Sequence, residues 1–258
     1  MLHIFHQDIC NSNIYFKDRF KECYMDKEKL EAVEVLARIK DRDPDTMTDD
    51  DYDMRNGIAN FLFGTVSLHD AFSTKHPEFC LTTVIWMLNY GSVRTMKGKI
   101  YTSDGIKGAT LRVHPRRNNL TKCLSDAQTE PNGIYLYFEG HSNIIWLDPE
   151  RLEIHRYDPQ VSEDDEETEP IDGALQAFFY EILPNYTYIG NTLSSEQCIQ
   201  YVRLQERGHL DCFCQEYTLL YARNRLSGMS HEEASEDLVM SREEIIEQVK
   251  DLYIYMAS

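Results

Sequence analysis

Three short runs rich in β-branched and aromatic residues follow one another between Gly133 and Asp158: IYLYF, NIIWLD and LEIHRYD. Runs of this length, bounded by turn residues, form strands that pair with their neighbours. Asn132-Gly133 and Asp148-Pro149 punctuate them, so we expect adjacent antiparallel strands with Asp148-Pro149-Glu150-Arg151 as a hairpin turn. In a hairpin formed by residues 143 to 148 and 152 to 157 the turn closes one end, and His141 and Asp158 emerge together at the other. Imidazole beside carboxylate is how a base that works near neutral pH is oriented, because the acid fixes the tautomer and stabilises the imidazolium.

The chain around this hairpin has 258 residues, of which 42% are hydrophobic and 11% aromatic, enough for one sizeable core and a smaller appended unit. Lys and Arg total 26 against 44 for Asp and Glu, a net charge of -18 that repels phosphate backbones and anionic membranes. Nucleic acid and membrane are therefore not expected partners, and a basic protein surface is. The seven cysteines lack the even, dense spacing of a disulfide framework, which suits a reducing compartment. MLHIFHQDIC lacks the regions of a signal peptide and no run approaches the length that spans a bilayer, so we expect an intracellular, soluble protein.

Residues 1–75 read as mainly helical. KEKLEAVEVLARIK sets Leu30, Val33, Leu36 and Ala37 on one face. The aspartates of DRDPDTMTDDDYD alternate as calcium ligands do, yet Tyr52 stands where the closing Glu belongs and Thr46 where the sharp turn needs Gly, so a solvated acidic loop is expected. FCLTTVIWMLNYGSVRTM reads as a buried helix or strand ending near Gly91. KGKIYTSDGIKGATLRVHPRRNN reads as β-rich, with turns at Asp104-Gly105 and Lys107-Gly108. SEDDEETEP, residues 162–170, is too charged to pack and is expected as an exposed loop. CFCQEYTLLYARNRL suits a buried helix, with apolar residues at Tyr217, Leu220, Tyr221 and Leu226. SHEEASEDLV and SREEIIEQVKDLYIYM read as helices opened by Ser N-caps with Glu in the first turn.

GHLDCFCQEYTLLY, residues 208 to 221, supplies the nucleophile that a His–Asp pair needs. A thiol at a helix N-terminus has its pKa lowered by the helix dipole, and a neighbouring imidazolium lowers it further. Cys214 and Cys212 both stand near that position. His209, Cys212 and Cys214 also spell a His-x-x-Cys-x-Cys zinc pattern, for which Cys198 is the nearest extra ligand; zinc normally takes four ligands in paired clusters, and we expect no metal here.

His141, a strand, a turn, a strand and Asp158, followed later by Cys at a helix start, resembles the adenovirus-protease and Ulp-type cysteine peptidases. The likeness is greater to the cysteine proteases of large DNA viruses, with patterns like G-H-x-N, an apolar run ending I-D, I-x-R-[FY]-[ED]-P and [FY]-C-x-x-[WY]-[ST]-L-x-Y. Gly140, His141, Asn143, Asp148, Ile154, Arg156, Tyr157, Asp158 and Pro159 fit the first part, and Phe213, Cys214, Tyr217, Thr218, Leu219 and Tyr221 the second. The likeness covers about residues 133–228. Ser142 replaces the Trp that usually follows the histidine of Ulp-type enzymes. Their Asp-Cys-Gly would align Asp211-Cys212 and leave Phe213 in place of Gly, whereas Cys214 keeps an aromatic residue three positions on; we favour Cys214 over Cys212. The resemblance also implies an oxyanion Gln six residues before the nucleophile, for which Gln205, nine before Cys214 and seven before Cys212, is the weak candidate, with Gln200 further still.

The resemblance implies an α+β fold, an antiparallel sheet with packed helices and a papain-like, Ulp-type core, preceded by an extra helical region. We expect a helical region over 1–75 and a cysteine peptidase domain over 76–258, with His141, Asp158 and Cys214 as catalytic residues and no cofactor. Its substrates would be proteins, either a ubiquitin-like protein to be deconjugated or a basic viral structural protein to be matured, in host cytoplasm or virion. The alternative from another class is a non-catalytic virion or scaffold protein that binds a basic partner on a protease-like fold.

Overall fold

The structure, a computed structural model, describes residues 25–64, 66–76, 85–88, 110–113, 132–138, 141–160 and 168–258. Two units emerge from the pattern of contacts: the helices before Val66 together with Met240–Ser258, and Ser67–Val239. The boundary expected at 75/76 falls at Val66 in these contacts, and the last helix groups with the first helices and not with the rest of 76–258.

In the first unit, α1 (Lys27–Lys40) is capped by Asp26, whose side chain accepts from the Lys29 N–H, and it buries Val33, Leu36, Ala37 and Ile39. The acidic segment expected as a loop is only partly one. Asp43 caps a short 3₁₀ turn over Pro44–Thr46, and α2 (Asp49–Phe63) begins with a reciprocal capping box between Thr48 and Asp51. Asp49, Asp50 and Asp51 thus fill the first turn, where carboxylates meet the positive end of the helix dipole. The C-terminal helix, Arg242–Ala257, is opened by the capping box of Ser241 and Glu244. It is tied to α1 and the residue after it by Lys250 with Glu34 and by Arg242 with Asp41.

The second unit is α+β. After α3 (Leu68–Lys75) come β1 (Ile85–Leu88), β2 (Thr110–Val113), β3 (Asn132–Phe138), β4 (His141–Asp148) and β5 (Glu153–Tyr157). Then follow α4 (Thr168–Ile182), β6 (Thr187–Gly190), α5 (Ile199–Arg207), α6 (Cys214–Leu226) and α7 (His231–Glu236). The strands form one sheet in the order β2-β1-β3-β4-β5-β6. The sheet is mixed and not antiparallel as expected. The three legible runs β3, β4 and β5 pair antiparallel, but β1 lies parallel to β3 and β6 parallel to β5. The second parallel pair follows from α4, since a parallel neighbour needs a crossover connection. Asn132-Gly133, read as punctuation, lies inside β3 opposite Leu147 and Trp146.

Helices cover both faces of this sheet. On one, Ile171, Leu175, Phe178 and Phe179 of α4 meet Ile134, Leu136, Ile145, Leu147 and Ile154. On the other lies α6, buried continuously from Glu216 to Ala222, as a helix packed on several sides must be. Its Tyr221 ring stacks on Tyr157 at 4.3 Å, and its Arg225 guanidinium sits 5.3 Å from the centre of the Trp146 ring. Ser230 and Glu233 form the expected capping box of α7.

Of the segment 162–170, residues 168–170 belong to the first turn of α4 and the rest lies outside the described residues. The same holds for the stretches around β1 and β2, including the turns expected at 104–108, and for residues 1–24. Among the described residues, no helix is long and apolar enough to cross a membrane.

Candidate active site

The hairpin of β4 and β5 sets the first two groups. Asp148 pairs with Glu153, and the side chain of Asp148 accepts from the N–H groups of Glu150 and Arg151, closing an Asx turn. From that turn the register runs to Ile144 opposite Tyr157, and continuing it by one step puts Asp158 opposite Asn143. At this open end His141 Nε2 lies 2.6 Å from Asp158 Oδ1. The Asp158 carboxylate is buried and also accepts from Asn143 Nδ2 at 3.2 Å, Arg156 Nη1 at 2.8 Å and the Gln160 N–H at 3.0 Å. Burial opposes its ionisation, but His141, Arg156 and the Gln160 N–H override that and hold the carboxyl at about 2.

Cys214 is the first residue of α6, with Phe213 as N-cap. The loop before it is clamped by the buried Asp211, which accepts from the Phe213 N–H at 3.0 Å, the Tyr217 hydroxyl at 2.7 Å and Gln200 Nε2 at 3.1 Å. Tyr217 lies three residues into the same helix, so this carboxylate fixes the loop to the first turn that carries the thiol. Burial pushes the Asp211 carboxyl up even against those hydrogen bonds.

The thiol of Cys214 lies within hydrogen-bonding reach of His141. Burial disfavours the imidazolium, yet the Asp158 carboxylate and the Cys214 sulfur together raise His141 to about 10. A half-buried sulfur at a helix N-terminus beside an imidazolium is the setting that lowers a thiol's pKa and makes it a nucleophile at neutral pH.

The structure thus brings His141, Asp158 and Cys214 together. Cys212 is half-buried in the loop two residues earlier, outside the helix. Gln205 is exposed on α5. Gln200 is buried but donates to the carbonyl and carboxylate of Asp211, which makes it part of the clamp. His209 Nδ1 meets the Leu210 carbonyl at 2.9 Å, and Cys198 is buried as the N-cap of α5. Among the described residues no group of three or more His, Cys, Asp or Glu side chains is arranged to hold a metal ion.

Three residues of the site carried no role in the sequence reading. Asn143 and Arg156 were visible as motif positions, but that they bind Asp158 follows only from the register. Asp172, which accepts from Arg156 Nε at 2.8 Å, comes from α4, and nothing local in the sequence marks it as a partner.

No family model matches the chain. A search of curated proteins finds a likeness to cytochrome P450 4F12 of Homo sapiens, 25% identical over 175 residues. It covers 57% of this chain and 32% of that protein, so the chain spans about a third of the length of the curated relative it matches. A likeness of that identity and extent assigns the chain to no family.

Proposed function

We propose that the protein is a cysteine peptidase that cleaves peptide or isopeptide bonds in protein substrates through Cys214, His141 and Asp158. The observation that carries this reading is the convergence of three elements on one point: the imidazole bonded to a buried carboxylate at 2.6 Å, with a thiol at the start of a buried helix within its reach. Each group alone is ordinary. Together they form a thiolate–imidazolium pair with an orienting acid.

In this reaction the Cys214 thiolate attacks the scissile carbonyl carbon, and negative charge develops on the carbonyl oxygen. The backbone N–H of Cys214, in the first turn of α6, is the donor we assign to that charge. Collapse of the tetrahedral intermediate breaks the C–N bond while His141 gives its proton to the leaving amine. Water then attacks the thioester, His141 takes the proton from the water, and the acid product leaves with Cys214 again a thiolate. The substrates we infer are those that a chain with a net charge of -18 would dock, ubiquitin-like modifiers or viral structural proteins with basic faces.

The test uses the purified protein and a panel of ubiquitin-like proteins carrying C-terminal electrophiles, with a low dose of iodoacetamide near neutral pH as the substrate-independent arm. A covalent adduct on Cys214 found by mass spectrometry is the expected result. No labelling of any thiol by either reagent, or labelling indifferent to His141→Ala, would overturn the reading and favour a non-catalytic binding protein.

A further inference from the structure

Behind the His141–Asp158 pair lies a second ion pair that the chemistry above does not use. Arg156 has a fully buried side chain, and its guanidinium reaches in two directions. Nη1 donates to Asp158 Oδ2 at 2.8 Å, while Nε and Nη2 donate to Asp172 Oδ1 and Oδ2 at 2.8 and 3.3 Å. Asp172 is itself held from β6 and the residue after it. The Tyr188 hydroxyl donates to Oδ1 at 2.5 Å and the Asn191 N–H to Oδ2 at 3.3 Å.

The backbone is shaped around this carboxylate. Gly190 has φ +81, and a Cβ there would stand 3.1 Å from Asp172 Cγ. Only a residue without a side chain lets β6 end against Asp172 in this way.

We propose, on the cysteine-peptidase reading above, that Arg156 and Asp172 are positioning residues: they orient Asp158 toward His141 and set how strongly the imidazole holds its proton. Arg156 takes the Asp158 oxygen that His141 does not use, so the carboxylate cannot turn its Oδ1 away from the ring. The groups that act most strongly on His141 are Asp158 and Cys214; on Arg156 they are Asp172, Asp158 and Tyr188. Signs alternate along the row from thiolate to imidazolium, carboxylate, guanidinium and carboxylate. Asp172 partly neutralises Arg156. Without it the guanidinium draws more of the field of Asp158, and His141 gives up its proton more easily.

A purely structural role is the competing explanation, because the same contacts tie α4, β5 and β6 together. Buried ion pairs are weak contributors to stability compared with apolar replacements, so this pair is better accounted for by what it does to Asp158.

The test is Asp172→Asn, nearly isosteric and still able to accept from Arg156 Nε, alongside Arg156→Gln and Arg156→Lys. Two readouts are taken on folded protein: titration of the His141 ring by NMR, and the rate of Cys214 alkylation against pH. Asp172→Asn is expected to move the His141 titration down by roughly one pH unit, as for a charge two partners away in a medium of intermediate dielectric. Arg156→Gln is expected to slow alkylation at neutral pH about tenfold or more, and Arg156→Lys to restore part of that loss because it returns the charge. Unchanged His141 titration and alkylation profiles in Asp172→Asn would overturn the inference, even if the melting temperature fell. That result differs from failure of the peptidase reading, in which wild-type Cys214 itself alkylates no faster than a simple thiol.

Discussion

His141 Nε2 and Asp158 Oδ1 are 2.6 Å apart at the open end of a hairpin, although seventeen residues separate them in sequence. The bond ties an imidazole held near 10 to a carboxyl held near 2, so both groups are charged across the neutral range. In Asp158→Asn the amide oxygen can still accept from the ring but brings no charge. Turnover should fall on the order of 10³-fold or more, and the basic limit of the alkylation profile should move down from about 10 toward an ordinary histidine. Circular dichroism should show the fold retained. Full turnover in this variant would remove Asp158 from the chemistry.

The two neighbouring thiols should behave differently. Cys214 sits at the first position of α6 within reach of His141, whereas Cys212 lies in the preceding loop. Cys214→Ala should abolish both electrophile labelling and turnover. Cys212→Ala should keep most of each. The reverse pattern would mean that the Asp-Cys alignment seen in Ulp-type enzymes applies to this chain.

The clamp on the loop before Cys214 joins stability to reactivity. The Tyr217 hydroxyl donates to Asp211 at 2.7 Å in a buried setting, and Tyr217→Phe deletes that donor while keeping the ring. Hydrogen bonds to charged groups contribute about 1.5–3 kcal/mol, so denaturant unfolding should show a loss of that order. Alkylation of Cys214 should slow as the first turn of α6 loosens. Unchanged alkylation alongside reduced stability would restrict the clamp to a folding role.

Much of this site was legible because its signals are local. Strand composition, the Asp148-Pro149 turn and register arithmetic suffice to bring His141 to Asp158, and Ser230 and Ser241 announce their helices through Glu233 and Glu244. Thr48 with Asp51 is the same signal. The density of aspartates around it points to a loop over 41–53 instead, and that expectation overlaps only the start of α2. The parallel pairings of β1 with β3 and of β5 with β6 left no local mark, because they depend on crossovers and not on a turn. Asp172 was hidden for a related reason: it meets Arg156 only because α4 folds back across the sheet.

Acid should weaken the second unit at a place distant in sequence from His141 and Asp158. His231 is buried, stacked on His155 at 4.7 Å, with Nδ1 2.8 Å from the Tyr221 hydroxyl and Nε2 3.3 Å from Thr192 Oγ1. Burial, then His155 and Arg225, hold it down at about 3, so it stays neutral in the folded chain. Unfolded, the ring takes a proton near 6.5. The folded state therefore binds fewer protons than the unfolded one between those values. Its contribution to stability is complete above about 6.5 and is lost as the pH falls toward 3, at up to about 1.4 kcal/mol per pH unit. Asp158, held near 2 when folded, begins to cost stability only as the unfolded carboxyl takes a proton near 3.9, so the loss above about pH 5 does not come from the His141–Asp158 pair. Urea unfolding at pH 7, 5.5 and 4 should show this slope in the wild type and a flatter one in His231→Gln, whose amide can still accept from Tyr221 and donate to Thr192. Equal slopes in the two proteins would assign the acid sensitivity to another group, His155 first among them, since burial and Arg225 lower it as well.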